Sequence, residues 1–152
     1  MAQKSVKENI EQILADGHTV QIEPHGWSMY PLLVPGRDQA IIAQANPEKM
    51  KRGDVALYRR EQGILVLHRI WKVRPEGFYT VGDNQSKVEG PLRPCQIKGR
   101  LTVVIRNGRK ISVQNPLLIF LTRFWLFLRP VRGPLAAAAH RLRQIGRPIK
   151  KG

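Results

Sequence analysis

Apolar and polar positions alternate over short stretches through most of the chain, and only towards its two ends does the spacing become that of a helix. Residues 5–15 set Val6, Ile10, Ile13 and Leu14 on one face, the spacing of an amphipathic helix. Ser5 offers an N-cap with Glu8 three residues on, as in a capping box, and Asp16-Gly17 ends the helix. Residues 19–23 then alternate, with Val20 and Ile22 facing one way, and predict a strand. Further strands are predicted at 39–43, 55–59, 64–73 and 78–81. The polar stretch 46–54, with Pro47 and Gly53, predicts a loop, and Glu61-Gln62-Gly63 a hairpin turn. Asn107-Gly108, between strands at 101–105 and 110–113, is the strongest short hairpin signal in the chain. Short strands broken by regular turn signals predict a mainly β domain, a folded sheet or partly open barrel with a short N-terminal helix and a C-terminal helical tail. No internal repeat is evident.

The tail departs from this pattern. Residues 117–128 are nearly all large apolar or aromatic, with Arg123 the one charge, and Pro116 and Pro130 bound them. The run is shorter than the roughly 20 residues a bilayer crossing needs. A second helix is predicted at 135–145, with His140, Arg141 and Arg143 among alanines and leucines. The chain therefore divides into an N-terminal helix (1–17), a β-rich domain (18–114) and a basic amphipathic tail (115–152).

Charge sharpens the reading of the tail. Lys and Arg number 26 against 11 Asp and Glu, a formal net charge of +15, and no acidic residue follows Glu89. Such an excess favours anionic partners. Phe120, Phe124, Trp125 and Phe127 beside Arg123, Arg129 and Arg132 have the make-up of an anchor on an anionic membrane surface. Docking on the β domain or on a protein partner is the other reading. Nucleic acid is disfavoured because no aromatic platform is placed for base stacking. The single Cys95 excludes an intramolecular disulfide and a thiolate cluster, and no metal or cofactor is expected. Residues 1–20 carry Lys4, Lys7, Glu8, Glu11 and Asp16 without an apolar run, so no signal peptide is expected there. The expected location is the cytoplasm or the cytoplasmic face of the membrane.

The candidate chemistry begins at His25-Gly-Trp-Ser-Met-Tyr-Pro-Leu-Leu33. Loops favour small polar residues, yet Ser28 is surrounded by Trp27, Met29 and Tyr30, which suggests the lining of a partly dry substrate groove. A serine hydroxyl is a weak nucleophile and needs an adjacent base. His68, inside the strand 64–73, can take its proton near neutral pH, and Asp83, in Gly82-Asp83-Asn84, can orient the ring. Each residue also has a structural reading: Ser28 and Asp83 as turn formers, His68 as a half-buried strand residue.

Order and local sequence favour the chemical reading. Gly26-Trp-Ser-Met-Tyr-Pro-Leu-Leu33, Arg52-Gly-Asp-Val-Ala-Leu-Tyr58, Leu67-His-Arg-Ile70 and Thr80-Val-Gly-Asp-Asn84 resemble the successive boxes of the type I signal peptidase and SOS-repressor superfamily. The resemblance spans 20–105. It implies a signal peptidase-like fold, Ser28 as nucleophile, and His68 as general base in the manner of the endoplasmic reticulum and archaeal branch. The function it implies is a serine endopeptidase, a hydrolase of peptide maturation that processes a leader or precursor peptide, with small residues on the acyl side of the cut. Gly26 stands where a hydroxyl donor is common, so the implied oxyanion hole rests on backbone N–H groups, including that of Ser28. Gln85-Ser-Lys-Val-Glu89 replaces the further acidic pair of the histidine-type enzymes, which leaves Asp83 as first orienter, Glu89 as second, or a plain Ser/His dyad. A reading from another class is a non-catalytic basic adaptor that binds lipid or nucleic acid on a degenerate peptidase scaffold.

Overall fold

The computed structural model describes residues 10–130. Its first element is a helical segment, α1 (10–15), which buries Leu14. It ends in a Schellman motif, with His18 N–H donating to Ile13 O (3.1 Å) and Gly17 N–H to Leu14 O (3.0 Å). Gly17 takes φ +84° there, a conformation for which glycine carries no Cβ penalty. The proposed capping residues Ser5 and Glu8, and the second tail helix at 135–145, lie outside the described residues.

Eight strands follow: β1 (Val20–Ile22), β2 (Asp38–Gln44), β3 (Val55–Arg59), β4 (Leu65–Arg74), β5 (Gly77–Val81), β6 (Glu89–Leu92), β7 (Ile97–Arg106) and β8 (Arg109–Ser112). They form one antiparallel sheet in the order β1-β2-β7-β3-β4-β5-β6, with β8 paired to β7. The sheet is not closed, and among the described residues β1, β6 and the short β8 each pair on one side only. The mainly β class read from the sequence is the observed one. Each predicted strand lies within a residue or two of an observed one, except that 97–106 is a longer strand than its apolar centre suggested. Asn107 (φ 50°) and Gly108 (φ 74°) form the hairpin turn between β7 and β8.

β6 is the strand the pattern did not reveal. Its sequence, Glu-Gly-Pro-Leu, carries the two residues most depleted in strands. An edge position tolerates the missing N–H of Pro91. Gly90 is required where it stands, because a Cβ would lie 2.6 Å from Phe78 O.

Because β3 is central, both of its faces are covered. Val55 and Leu57 join a core with Leu14, Met29, Leu33, Ile42, Leu101 and Val104. Ala56 and Tyr58 face a second cluster with Met50, Ile70, Phe78, Leu92 and Ile97. After β8 the chain enters α2 (Pro116–Phe127), capped by Asn115, whose Oδ1 accepts from Leu117 N–H at 2.9 Å, with Pro116 in the first turn. No described helix is long and apolar enough to cross a membrane.

Candidate active site

The loop between β1 and β2 carries Ser28 and is pinned along its length. Tyr30 N–H donates to Trp27 O (3.2 Å) and Leu33 N–H to Met29 O (2.9 Å), which gives the loop a helical turn. Met29 and Leu33 point down from it into the first core. Met29 is therefore a buried anchor and not a solvent-facing groove residue: the turn that exposes Trp27 and Tyr30 rotates it inward. Trp27 and Tyr30 stay exposed, their rings 5.9 Å apart. Further along, Arg106 donates to Leu32 O (3.0 Å), and buried Asp38 accepts from Val34 N–H (2.9 Å), Arg37 and Arg106. Burial pushes the Asp38 carboxyl up, but these donors outweigh it and hold its pKa at about 2.

Ser28 itself meets the sheet through its backbone. Its carbonyl accepts from Asn84 N–H at 2.8 Å. A Cβ on Gly82 would lie 2.7 Å from that same oxygen, so the bare Gly82 backbone makes room for the loop. Among the described residues the Ser28 hydroxyl and its N–H make no hydrogen bond within the protein.

His68 projects from the same face. Arg69 pairs with Val81 across β4 and β5, so His68 and Gly82 each lie one residue beyond that pair. Side chains alternate along a strand, and the face bearing the imidazole is the one on which Gly82 has no side chain. Ser28 packs onto that gap. The ring is almost fully buried, at 2% exposure.

Hydrogen accounting at the ring assigns its tautomer. Tyr58 Oη lies 3.2 Å from His68 Nδ1 and donates its proton to Glu89 Oε2 at 2.8 Å. An ionised carboxylate only accepts, and a phenol has one proton; Nδ1 must then carry the hydrogen and donate to Tyr58 Oη. Nε2 is left with the lone pair and makes no hydrogen bond among the described residues. Glu89 is held by Arg60, whose Nε donates to Oε2 at 2.9 Å and whose Nη2 meets Oε1. Burial raises the Glu89 carboxyl, but the hydrogen bonds from Arg60 and Tyr58 bring it below the usual carboxylate range. Burial is also the largest influence on His68 and lowers its pKa, with the Glu89 charge pulling the other way. The imidazole is thus neutral at pH 7, the form that can accept a proton. Thr80 Oγ1, buried near Tyr58, lacks a well-formed hydrogen bond of its own among the described residues.

Asp83 takes a different place from the one expected. Its two oxygens receive Arg69 Nε (2.6 Å) and Nη2 (2.7 Å) in a buried, bidentate pair. Arg69 also donates to Gly53 O at 2.7 Å, which ties the Arg52-Gly53-Asp54 box to β4. Asp83 shares the face of Arg69 and Val81, opposite to that of His68, so alternation carries it away from Nδ1. The group facing Nδ1 is Tyr58, backed by Glu89. The carboxylate ranked second in the sequence is the one beside the ring, 4.0 Å from Nδ1.

Tyr58 was not singled out by its type, yet the register contains it. The turn at 60–63 sets Ala56 opposite His68 and Tyr58 opposite Val66, which puts Tyr58 diagonally across from His68 on one face. Glu89 could not be placed this way because β6 itself was not legible.

A cavity of about 810 Å3 lies elsewhere, between α2 and β3, β7 and β8. Arg69, Leu32, Val55 and Leu126 line it, while Ser28 and His68 do not. Compared with known proteins, the chain matches no family model, and no curated protein is significantly similar to it.

Proposed function

We propose that the protein is a serine endopeptidase of the signal peptidase-like type that processes a leader or precursor peptide. The observation that carries this reading is the state of His68: buried, neutral, with its proton assigned to Nδ1 by Tyr58 and Glu89 and Nε2 without a hydrogen bond among the described residues, while Ser28 packs against Gly82 in the neighbouring strand register. In this reading Nε2 takes the Ser28 hydroxyl proton as Oγ attacks the scissile carbonyl. The Ser28 N–H, which has no acceptor among the described residues, is available to the oxyanion. His68, now an imidazolium stabilised by Tyr58 and the Glu89 charge, delivers the proton to the departing amine. Water then repeats the sequence on the acyl-serine and frees the enzyme.

The free edge of β1 supports the binding half of this proposal. β1 runs straight into the Ser28 loop and pairs only with β2 among the described residues, so an extended peptide can add beside it. Trp27 and Tyr30 stand exposed at the end of that edge.

The test is cleavage of a peptide library by the full-length protein, read by mass spectrometry. Ser28→Ala is expected to lower cleavage by at least about a thousandfold, and His68→Ala by nearly as much, because the pair works as a unit. Undiminished cleavage by Ser28→Ala would end the proposal.

A further inference from the structure

We infer that the outer face of α2 seats the protein on an anionic bilayer surface. A helix docked on a domain ordinarily turns its apolar stripe inward. α2 does the reverse over much of its circumference. Leu117, Phe120, Leu121 and Phe124 follow the i, i+3, i+4, i+7 spacing of one face, Phe127 extends it, and these side chains are between 49% and 77% exposed. Phe120 and Phe124 stack on each other there, 6.4 Å apart. Among the described residues nothing covers the stripe.

The inner face is held largely by polar contacts. Leu126 is buried, but Trp125 Nε1 donates to Asp83 O at 3.1 Å, and Arg129 donates to Ser86 O at 2.8 Å. Arg129 also lies over the Trp71 ring, 4.7 Å from its centre, as Arg52 does at 4.5 Å. Together these contacts orient the helix with its phenylalanines outward.

Charge selects the occupant. Residues 116–152 hold eight Lys or Arg and no Asp or Glu, with Arg123 exposed on α2. Phenylalanine and leucine flanked by arginine suit the boundary between acyl chains and anionic headgroups. Nucleic acid would pair with the cations and leave the aromatic stripe in water. A second copy would cover the stripe but set like charge against like on a chain already at +15.

One corollary rests on the peptidase reading, although the lipid seat does not. Trp125 and Arg129 fix α2 to the Gly82–Ser86 turn that also holds Ser28, so the nucleophile keeps a set distance from the bilayer. The peptide cut is then one presented close to a membrane surface.

The experiment is flotation of the full-length protein with equimolar phosphatidylglycerol–phosphatidylcholine vesicles at low salt, with phosphatidylcholine alone as the comparison. Wild type is expected to float with the anionic vesicles only. Phe120→Glu with Phe124→Glu should lower partitioning by about a hundredfold, since burying one phenylalanine is worth at least about tenfold. Circular dichroism checks that the double variant folds; should it not, Leu117→Glu decides. Ser28→Ala should float like wild type, which separates failure of this inference from failure of the peptidase reading. The inference is overturned if wild type ignores anionic vesicles, if neutral vesicles bind it equally, or if the stripe variants float unchanged. It is equally overturned if wild type is a dimer without lipid that the stripe variants make monomeric.

Discussion

Gly82 stands against Ser28 with no room for a side chain: a Cβ there would come within 2.7 Å of the Ser28 carbonyl oxygen and 2.8 Å of Gln85 Oε1. The Ser28 loop and the strand beside His68 are thus joined backbone to backbone, and the Asn84 N–H completes the joint. The position of the serine relative to the histidine depends on an absent methyl group.

Gly82→Ala should therefore move Ser28 away from the sheet. Gln85 can rotate aside, whereas the Ser28 backbone cannot do so without shifting its loop. Crowding of this kind costs about 1–3 kcal/mol, which thermal melting would register. Peptide cleavage should fall far more than that loss of stability explains, while the fold survives. Full cleavage by a folded Gly82→Ala protein would show that the contact does not set the geometry.

The pairing of Tyr58 with His68 has its own signature. Tyr58→Phe keeps the ring in its core position but leaves the Nδ1 hydrogen and one Glu89 lone pair without their partner, a cost of about 1–3 kcal/mol. Loss of tautomer control should lower kcat roughly a hundredfold. Glu89→Gln acts on the pH profile. The Glu89 charge raises the His68 pKa against the lowering by burial, so removing it drops the pKa further. Only the neutral ring is a base, so the acid limb of kcat/KM, already below pH 6.5, should move to still lower pH. The linked stability behaves likewise: a histidine whose folded pKa is depressed contributes fully above about 6.5, and its contribution is lost as pH falls. A limb that moved upward would contradict the placement of Glu89.

Asp83 should answer to a different assay. Asp83→Asn breaks a pair in which both side chains are buried, and leaving Arg69 uncompensated costs about 3–5 kcal/mol. Its main readout is therefore a lower melting temperature. Its effect on the acid limb should be smaller than that of Glu89→Gln, because its charge acts on His68 less strongly. A shift in the limb greater than that of Glu89→Gln, without loss of stability, would restore Asp83 as the residue that orients the ring.

Alternation and turn chemistry made most of the fold legible. Asn107-Gly108 and Glu61-Gln62-Gly63 located two hairpins, and the second of these sets the register that aligns Tyr58 with His68. What stayed hidden had physical causes. β6 is held by an edge position and by close approach at Gly90, neither of which leaves an apolar rhythm. Without β6 in the apolar pattern, nothing in the sequence carries Glu89 to the His68 face, and Asp83 ranks ahead of it as the orienting acid. Arg69 then decided the matter: a guanidinium adjacent to the histidine in sequence, but on the opposite face of the strand, claims the Asp83 carboxylate. Met29 was misplaced for a related reason, since residue type alone does not say which way a short helical turn points its side chains.

The hydrogen bond from Trp125 to the Asp83 carbonyl bears on how the protein can be shortened. A chain cut at residue 114, just past β8, would deprive that turn of its indole donor and strip the cover from the cavity lined by Leu32 and Leu101. Recombinant versions meant to keep the Ser28 geometry should extend at least through residue 130, and loss of cleavage in a shorter one would report a missing buttress, with the Ser28 side chain itself intact.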